Sequence, residues 1–190
     1  VEQRAVRDAC EQAGARRPTH LIPEPLAAAL GADVPVDLPR GSMIVNIGGG
    51  RTEAAVISLF GIVASESVRV GGKQIDESIQ AFVRRKYKLS IGIRTAEEVK
   101  IAIGSALADL SPMQQAVRGR DTVSGLPKTV TLTSTEIATA IEEPLVAITQ
   151  TVKNALSRTP PELAADILDR GIVLTGGGAL LRNIEKLLTQ

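Results

Sequence analysis

Residues 43–58 read MIVNIGGGRTEAAVIS. Two apolar segments flank three consecutive glycines, with Asn46 and Arg51 standing on either side of them. The flanks read as strands over Ser42–Ile47 and Thr52–Leu59, so Gly48, Gly49 and Gly50 close a hairpin. Without Cβ atoms in the way, such a hairpin lets backbone N–H groups approach an anion and adopts positive φ freely. The same pattern also serves as a plain tight turn.

Working outward, Gly61 suggests a turn into a third strand, Ile62–Val70. After Gly71-Gly72 the period becomes helical, with Ile75, Ile79, Phe82 and Val83 on one face. Thr95 and Glu98 have the spacing of a capping box at the start of another helix. Two strands, QQAVRGR and KTVTLT, lie within residues 113–133. A long apolar stripe then runs from Ile137 through Ile141, Leu145, Ile148 and Val152 to Leu156, and Pro160-Pro161 breaks it.

A short helix, the strand GIVLT and a second triplet, Gly176 to Gly178, follow. This triplet joins strand to helix, where orphan N–H groups and the positive helix end gather. The final helix is predicted to bury Leu180, Leu181, Ile184, Leu187 and Leu188. Toward the start, VEQRAVRDACEQAG is an amphipathic helix stopping at Gly14, and THLIPE is a strand candidate. Pro25 suits the first turn of the helix PLAAALGA, and residues 33–41 are a loop. The order βββα, mixed insert, αβα predicts an α/β layered fold.

The composition narrows the function. The formal net charge of +1 gives no electrostatic reason to expect nucleic acid or anionic lipid as the main partner. Aromatic residues make up only 2% of the chain and Trp is absent, so base-stacking platforms are not expected. The one cysteine, Cys10, excludes an internal disulfide and fits a reducing compartment. The single His20 can anchor neither a metal cluster nor a catalytic triad. The chain begins with Val1 inside a predicted helix and reads as a fragment of a longer protein.

Four segments in order, LIPEPLAAALGA, NIGGGRTEAAVIS, VRVGGKQIDESI and LTGGGALLRN, resemble the bacterial actin homologues that determine rod shape, the MreB family. The resemblance runs essentially from Val1 to Gln190. It implies the actin-like, ribonuclease-H-like fold: two lobes with ATP and Mg²⁺ in the cleft between them. Residues 1–40 would be the end of the first lobe. Residues 41–72 and 145–190 would form the core of the second, and residues 73–144 its inserted smaller subdomain.

The resemblance further implies site residues. Glu24 would orient the water that attacks the γ-phosphate. Gly48, Gly49 and Gly50 would be the phosphate hairpin. Glu97, Glu98, Val99 and Lys100 would reach toward ribose and adenine, and Gly176, Gly177, Gly178 and Ala179 would form the adenosine-side turn. From spacing alone, Glu97 and Lys100 are simply an i, i+3 pair sharing a helix face.

Two positions depart from the family pattern. Asn46 stands where an Asp holds Mg²⁺, often through water, and Arg51 stands where a Thr is usual. Together they shift the local charge by about two positive units, favouring a nucleotide anion and weakening a metal site. Pro23 also replaces an acidic residue common before the catalytic Glu. The implied function is an ATP-binding filament subunit acting with itself and with the cell-wall elongation machinery at the inner membrane face, cytoplasmic and membrane-associated as a filament. Alternatives are a pseudo-ATPase paralogue that regulates or joins such filaments, and a chaperone-type nucleotide domain.

Overall fold

The computed structural model describes residues 2–108 and 111–189. Its elements begin with α1 (Glu2–Gln12) and α2 (Glu24–Gly31), then strands β1 (Ser42–Ile47), β2 (Thr52–Ser58) and β3 (Gly61–Val68). Helix α3 (Gly72–Tyr87), strand β4 (Leu89–Ser90), helix α4 (Ile93–Ile103) and strands β5 (Gln114–Asp121) and β6 (Pro127–Thr133) follow. Helices α5 (Ser134–Ala140), α6 (Glu142–Ser157) and α7 (Pro161–Arg170) lead to β7 (Ile172–Thr175), and α8 (Ile184–Leu188) comes last.

Two sheets form. The first has the order β3-β2-β1-β7, with β7 parallel to β1 and the other pairs antiparallel. The second, β4-β5-β6, is antiparallel and is carried by the segment between β3 and α6. The first sheet is covered on both faces, which is why its central strands are apolar almost throughout. On one face Met43, Val45, Ile47, Ala54 and Val56 join a core that includes Ile148 and Val152 of α6. On the other, Ile44, Ala55 and Ile57 pack against Ala29 of α2 and Val34 and Val36 of the loop after it.

Several expectations need correction. Thr19–Glu24 is not a strand: no strand pairs with it, Ile22 is exposed, and the segment runs straight into α2. The turn between β2 and β3 does not use Gly61. Ser58 pairs with Gly61, and the two turn residues are Leu59 and Phe60, at φ 49° and 61°. Positive φ at both positions is the geometry of a type I′ hairpin. Their N–H groups donate to the carbonyls of Leu38 and Val36, which holds the tip against the preceding loop.

The capping box at Thr95 does not form. α4 starts two residues earlier, at Ile93, and Glu98 pairs with Arg94 instead. A capping box does form at Thr133 and Glu136, opening α5. The long apolar stripe is continuous, but its backbone breaks at Ile141 between α5 and α6. Pro144 lies in the first turn of α6; it has no N–H to donate, and its ring would collide with the carbonyl four residues back in an unbroken helix.

The last helix is also divided. Gly177–Leu180 is a short 3-10 turn, Asn183 takes a left-handed conformation, and only then does α8 begin. Leu181 and Ile184 are buried as expected, but Leu180 is 86% exposed.

Candidate nucleotide cleft

The hairpin Gly48–Gly50 is fixed from below by α3. The N–H groups of Gly72 and Lys73 donate to the carbonyls of Gly48 and Gly49 at 2.9 and 2.7 Å. Gly71 must lack a side chain, since a Cβ there would stand 2.4 Å from the Gly48 carbonyl oxygen. Gly48 N–H donates to the Arg51 carbonyl, closing the hairpin. No acceptor among the described residues takes the N–H groups of Gly49, Gly50 or Arg51. Consecutive unpaired N–H groups on a rigid support suit an anion.

The second triplet packs directly on the first hairpin's strand. Gly176, at φ 83°, would place a Cβ 2.4 Å from the Ile47 carbonyl oxygen, and Gly178 would place one 2.2 Å from Ile47 Cγ2. These two glycines are needed for close approach. Gly177 has open space around it. The triplet opens a four-residue 3-10 turn, so the helix-dipole argument applied to it from sequence does not hold.

Between the two triplets lies a cavity of about 730 Å³. Gly48, Gly49, Gly72 and Lys73 line one part of it; Glu97, Lys100, Gly177, Gly178 and Arg182 line others. Ile93, Ile101 and Leu180 also line it, and this accounts for three apolar side chains that are otherwise exposed, at 47%, 73% and 86%. The cavity therefore combines an anion-directed wall with an apolar one. Arg182 is held by hydrogen bonds to the carbonyls of Gly104 and Ile103, which joins the end of α4 to the second glycine turn.

Within the α4 segment, Glu97 and Lys100 reach the cavity. Glu98 points to its ion pair with Arg94, and Val99 is fully buried in the core. The ion-pair partner of Lys100 is Asp76 of α3, at 2.8 Å. Ala179 lies in the 3-10 turn, donating its N–H to the Gly176 carbonyl. Sequence reasoning missed Lys73, Asp76, Ile93, Ile101 and Leu180. Ile101 carried a usable signal: it falls outside the buried face of α4 set by Ala96, Val99 and Ile103.

A second polar group sits at the end of β1. Glu53, Asn46 and Thr175 are direct neighbours across β2, β1 and β7, so they share one face of the sheet. Glu24, at the start of α2, faces this row. Asn46 Nδ2 donates to Glu24 Oε1 at 2.7 Å, and Thr175 Oγ1 donates to Asn46 Oδ1 at 3.3 Å. Burial, and then the charge of Glu24, push Glu53 above its ordinary range, while Arg51 pulls it down. Arg51 is exposed and makes no ion pair among the described residues.

Hard Mg²⁺ takes anionic oxygens and water. Asn46 carries no charge, its oxygen already accepts from Thr175 and its amide already holds Glu24. No group of three or more His, Cys, Asp or Glu able to hold a metal occurs among the described residues. The donors at position 46 therefore do not fit a metal anchor.

Comparison with known proteins agrees with this architecture. The family model described as MreB/Mbl protein matches residues 1–190. The chain is 53% identical over 190 residues to the cell shape-determining protein MreB of Escherichia coli strain K12, covering 100% of this chain and 54% of that protein. It is 46% identical to the cell shape-determining protein Mbl of Bacillus subtilis strain 168, again over the whole chain and 57% of the relative. The chain thus spans about half the length of these relatives.

Among solved structures, MreB5 of Spiroplasma citri bound to AMPPNP superposes with a TM-score of 0.92 at 42% identity, covering 97% of this chain and 55% of that one. A MamK double helical filament matches with a TM-score of 0.66 at 24% identity, over 85% of this chain and 47% of that one, a likeness of fold alone. The fold is the actin-like α/β one. Among the described residues, no helix is long and apolar enough to cross a membrane.

Proposed function

Because this chain belongs to the MreB/Mbl family, we propose that it supplies one side of the ATP site of an actin-like cytoskeletal protein that polymerises and helps determine cell shape. The observation that carries the reading is the cavity between the two glycine triplets. The unpaired N–H groups of the Gly48–Gly50 hairpin suit phosphate, and Ile93, Ile101 and Leu180 suit a flat apolar base. The structures of MreB5 described as bound to AMPPNP and to ADP support a nucleotide as the ligand.

In this reading Glu97 and Lys100 meet the nucleoside, and Glu24 orients the attacking water, since a carboxylate can accept a water proton. The protein acts with copies of itself and with the cell-wall elongation machinery at the inner membrane face, as a cytoplasmic, membrane-associated filament. The test is ATP binding and light scattering by the full-length protein. Nucleotide-dependent scattering is expected; scattering indifferent to nucleotide would remove the reading.

A second reading, a filament partner with little ATP turnover, is favoured by the hydrogen bond that commits Glu24 to Asn46. Glu24→Ala separates the two. A catalytic Glu24 lowers kcat with little change in affinity, whereas in a pseudo-ATPase the substitution leaves an already low turnover unchanged.

A further inference from the structure

We propose that Asn46 is a positioning residue for Glu24, and that its amide fills the role a cation would otherwise have to fill there, so this chain's cleft needs no divalent ion bound at residue 46. The inference rests on the nucleotide reading only for its second test.

Asn46 is the middle member of a row running from Glu53 through Asn46 to Thr175, and Glu24 closes over it from α2. Two carboxylates therefore flank one residue. With an amide in the middle, both of its hydrogen bonds are satisfied: the N–H donates to Glu24, and the carbonyl oxygen accepts from Thr175. The Glu24 carboxylate, which can only accept, fixes which end of the amide faces it, and the Thr175 hydroxyl, free to donate or accept, then donates to the oxygen at the other end. With a carboxylate in the middle, two anionic oxygens would meet at the 2.7 Å now spanned by a hydrogen bond. Such a pair must take up a proton or a cation. The choice of Asn over Asp thus decides whether this end of the sheet calls for a metal.

Gly176 leaves the amide its place. It packs beside the amide: an added Cβ there would stand 2.7 Å from Asn46 Oδ1, so any side chain at 176 would press on the amide. The phosphate charge is left to groups close by, the exposed guanidinium of Arg51 and the free N–H groups of the hairpin.

The test uses thermal melting of the nucleotide-free full-length protein, wild type and Asn46→Asp, in EDTA and in millimolar Mg²⁺. The wild type is expected to melt at the same temperature in both. Asn46→Asp is expected to melt lower in EDTA and to recover with Mg²⁺. A wild type that gains from Mg²⁺ as much as the variant does, or a variant indifferent to Mg²⁺, overturns the proposal.

If the variant does not fold, ATP affinity of the wild type with and without Mg²⁺ decides. A change within about threefold supports the proposal, and a loss of about tenfold or more in EDTA overturns it. Failure to bind ATP in either condition would instead overturn the nucleotide reading, and the Mg²⁺ response in melting would still decide the role of Asn46.

Discussion

Lys100 Nζ stands 2.8 Å from Asp76 Oδ1, and the two side chains are only 16% and 7% exposed. Asp76 belongs to α3, whose first turn supports the phosphate-side hairpin; Lys100 belongs to α4, which also lines the cavity. The ammonium also donates to the Gly72 carbonyl at 3.4 Å. One ion pair thus ties together the two helices that shape the cleft. Burial pushes Asp76 up, and Lys100 opposes that shift.

Removing one partner of a buried pair leaves an uncompensated charge. Asp76→Ala is therefore expected to destabilise the protein by about 3 kcal/mol in chemical denaturation. Asp76→Leu combined with Lys100→Met should lose less than the sum of the single changes. Additivity of the two would show that the pair does not couple α3 to α4.

The hairpin tip offers the opposite sign. Leu59 and Phe60 hold left-handed conformations that Asn and Gly adopt far more readily. Replacing them with Asn and Gly should stabilise the fold by about 1–2 kcal/mol. The denaturation midpoint checks this, and a lower midpoint would mean that the two side chains pack usefully despite being 61% and 58% exposed.

Glu136 links stability to pH. Its burial alone would raise its pKa, but hydrogen bonds from Lys86, Tyr87 and Thr133 hold it down at about 2. The same contact pushes the Tyr87 hydroxyl up to about 12. A depressed carboxylate stabilises the fold above its unfolded value near 4.5, and that contribution is lost as pH falls toward 2. Glu136→Gln should lower stability at neutral pH by about 1–2 kcal/mol, less than the full shift because the Lys86 side chain is half-exposed. It should also flatten the acid limb of the stability curve. An acid limb unchanged by the substitution would contradict this account.

The second triplet separates packing from ligand contact. Gly178→Ala should destabilise by about 1–3 kcal/mol, because its Cβ would overlap Ile47. Gly177→Ala has room and should leave the melting temperature nearly unchanged while weakening ATP binding, since Gly177 lines the cavity. Equal effects of the two changes on stability would show that the turn is packed differently.

The sequence made the first sheet legible because β1 and β2 are buried on both faces, leaving long apolar runs around the glycines. It also isolated Asn46 and Arg51, but spacing could not reveal that Asn46 meets Glu24 across 22 residues. The boundaries that failed depended on tertiary contacts. The turn at Leu59-Phe60 is set by the carbonyls of Val36 and Leu38, and the start of α4 ignores Thr95. The tie between Lys100 and Asp76 was invisible because it joins two helices, whereas helical spacing speaks only of neighbours on one.

The central claim is that a nucleotide lies between the two glycine triplets. It is tested most directly by photolabelling the full-length protein with 8-azido-ATP and mapping the labelled peptides. The account predicts label on the segments carrying Ile101 or Leu180, removed by excess unlabelled ATP. Label that ATP does not displace, or label confined to segments outside the cavity, would contradict it.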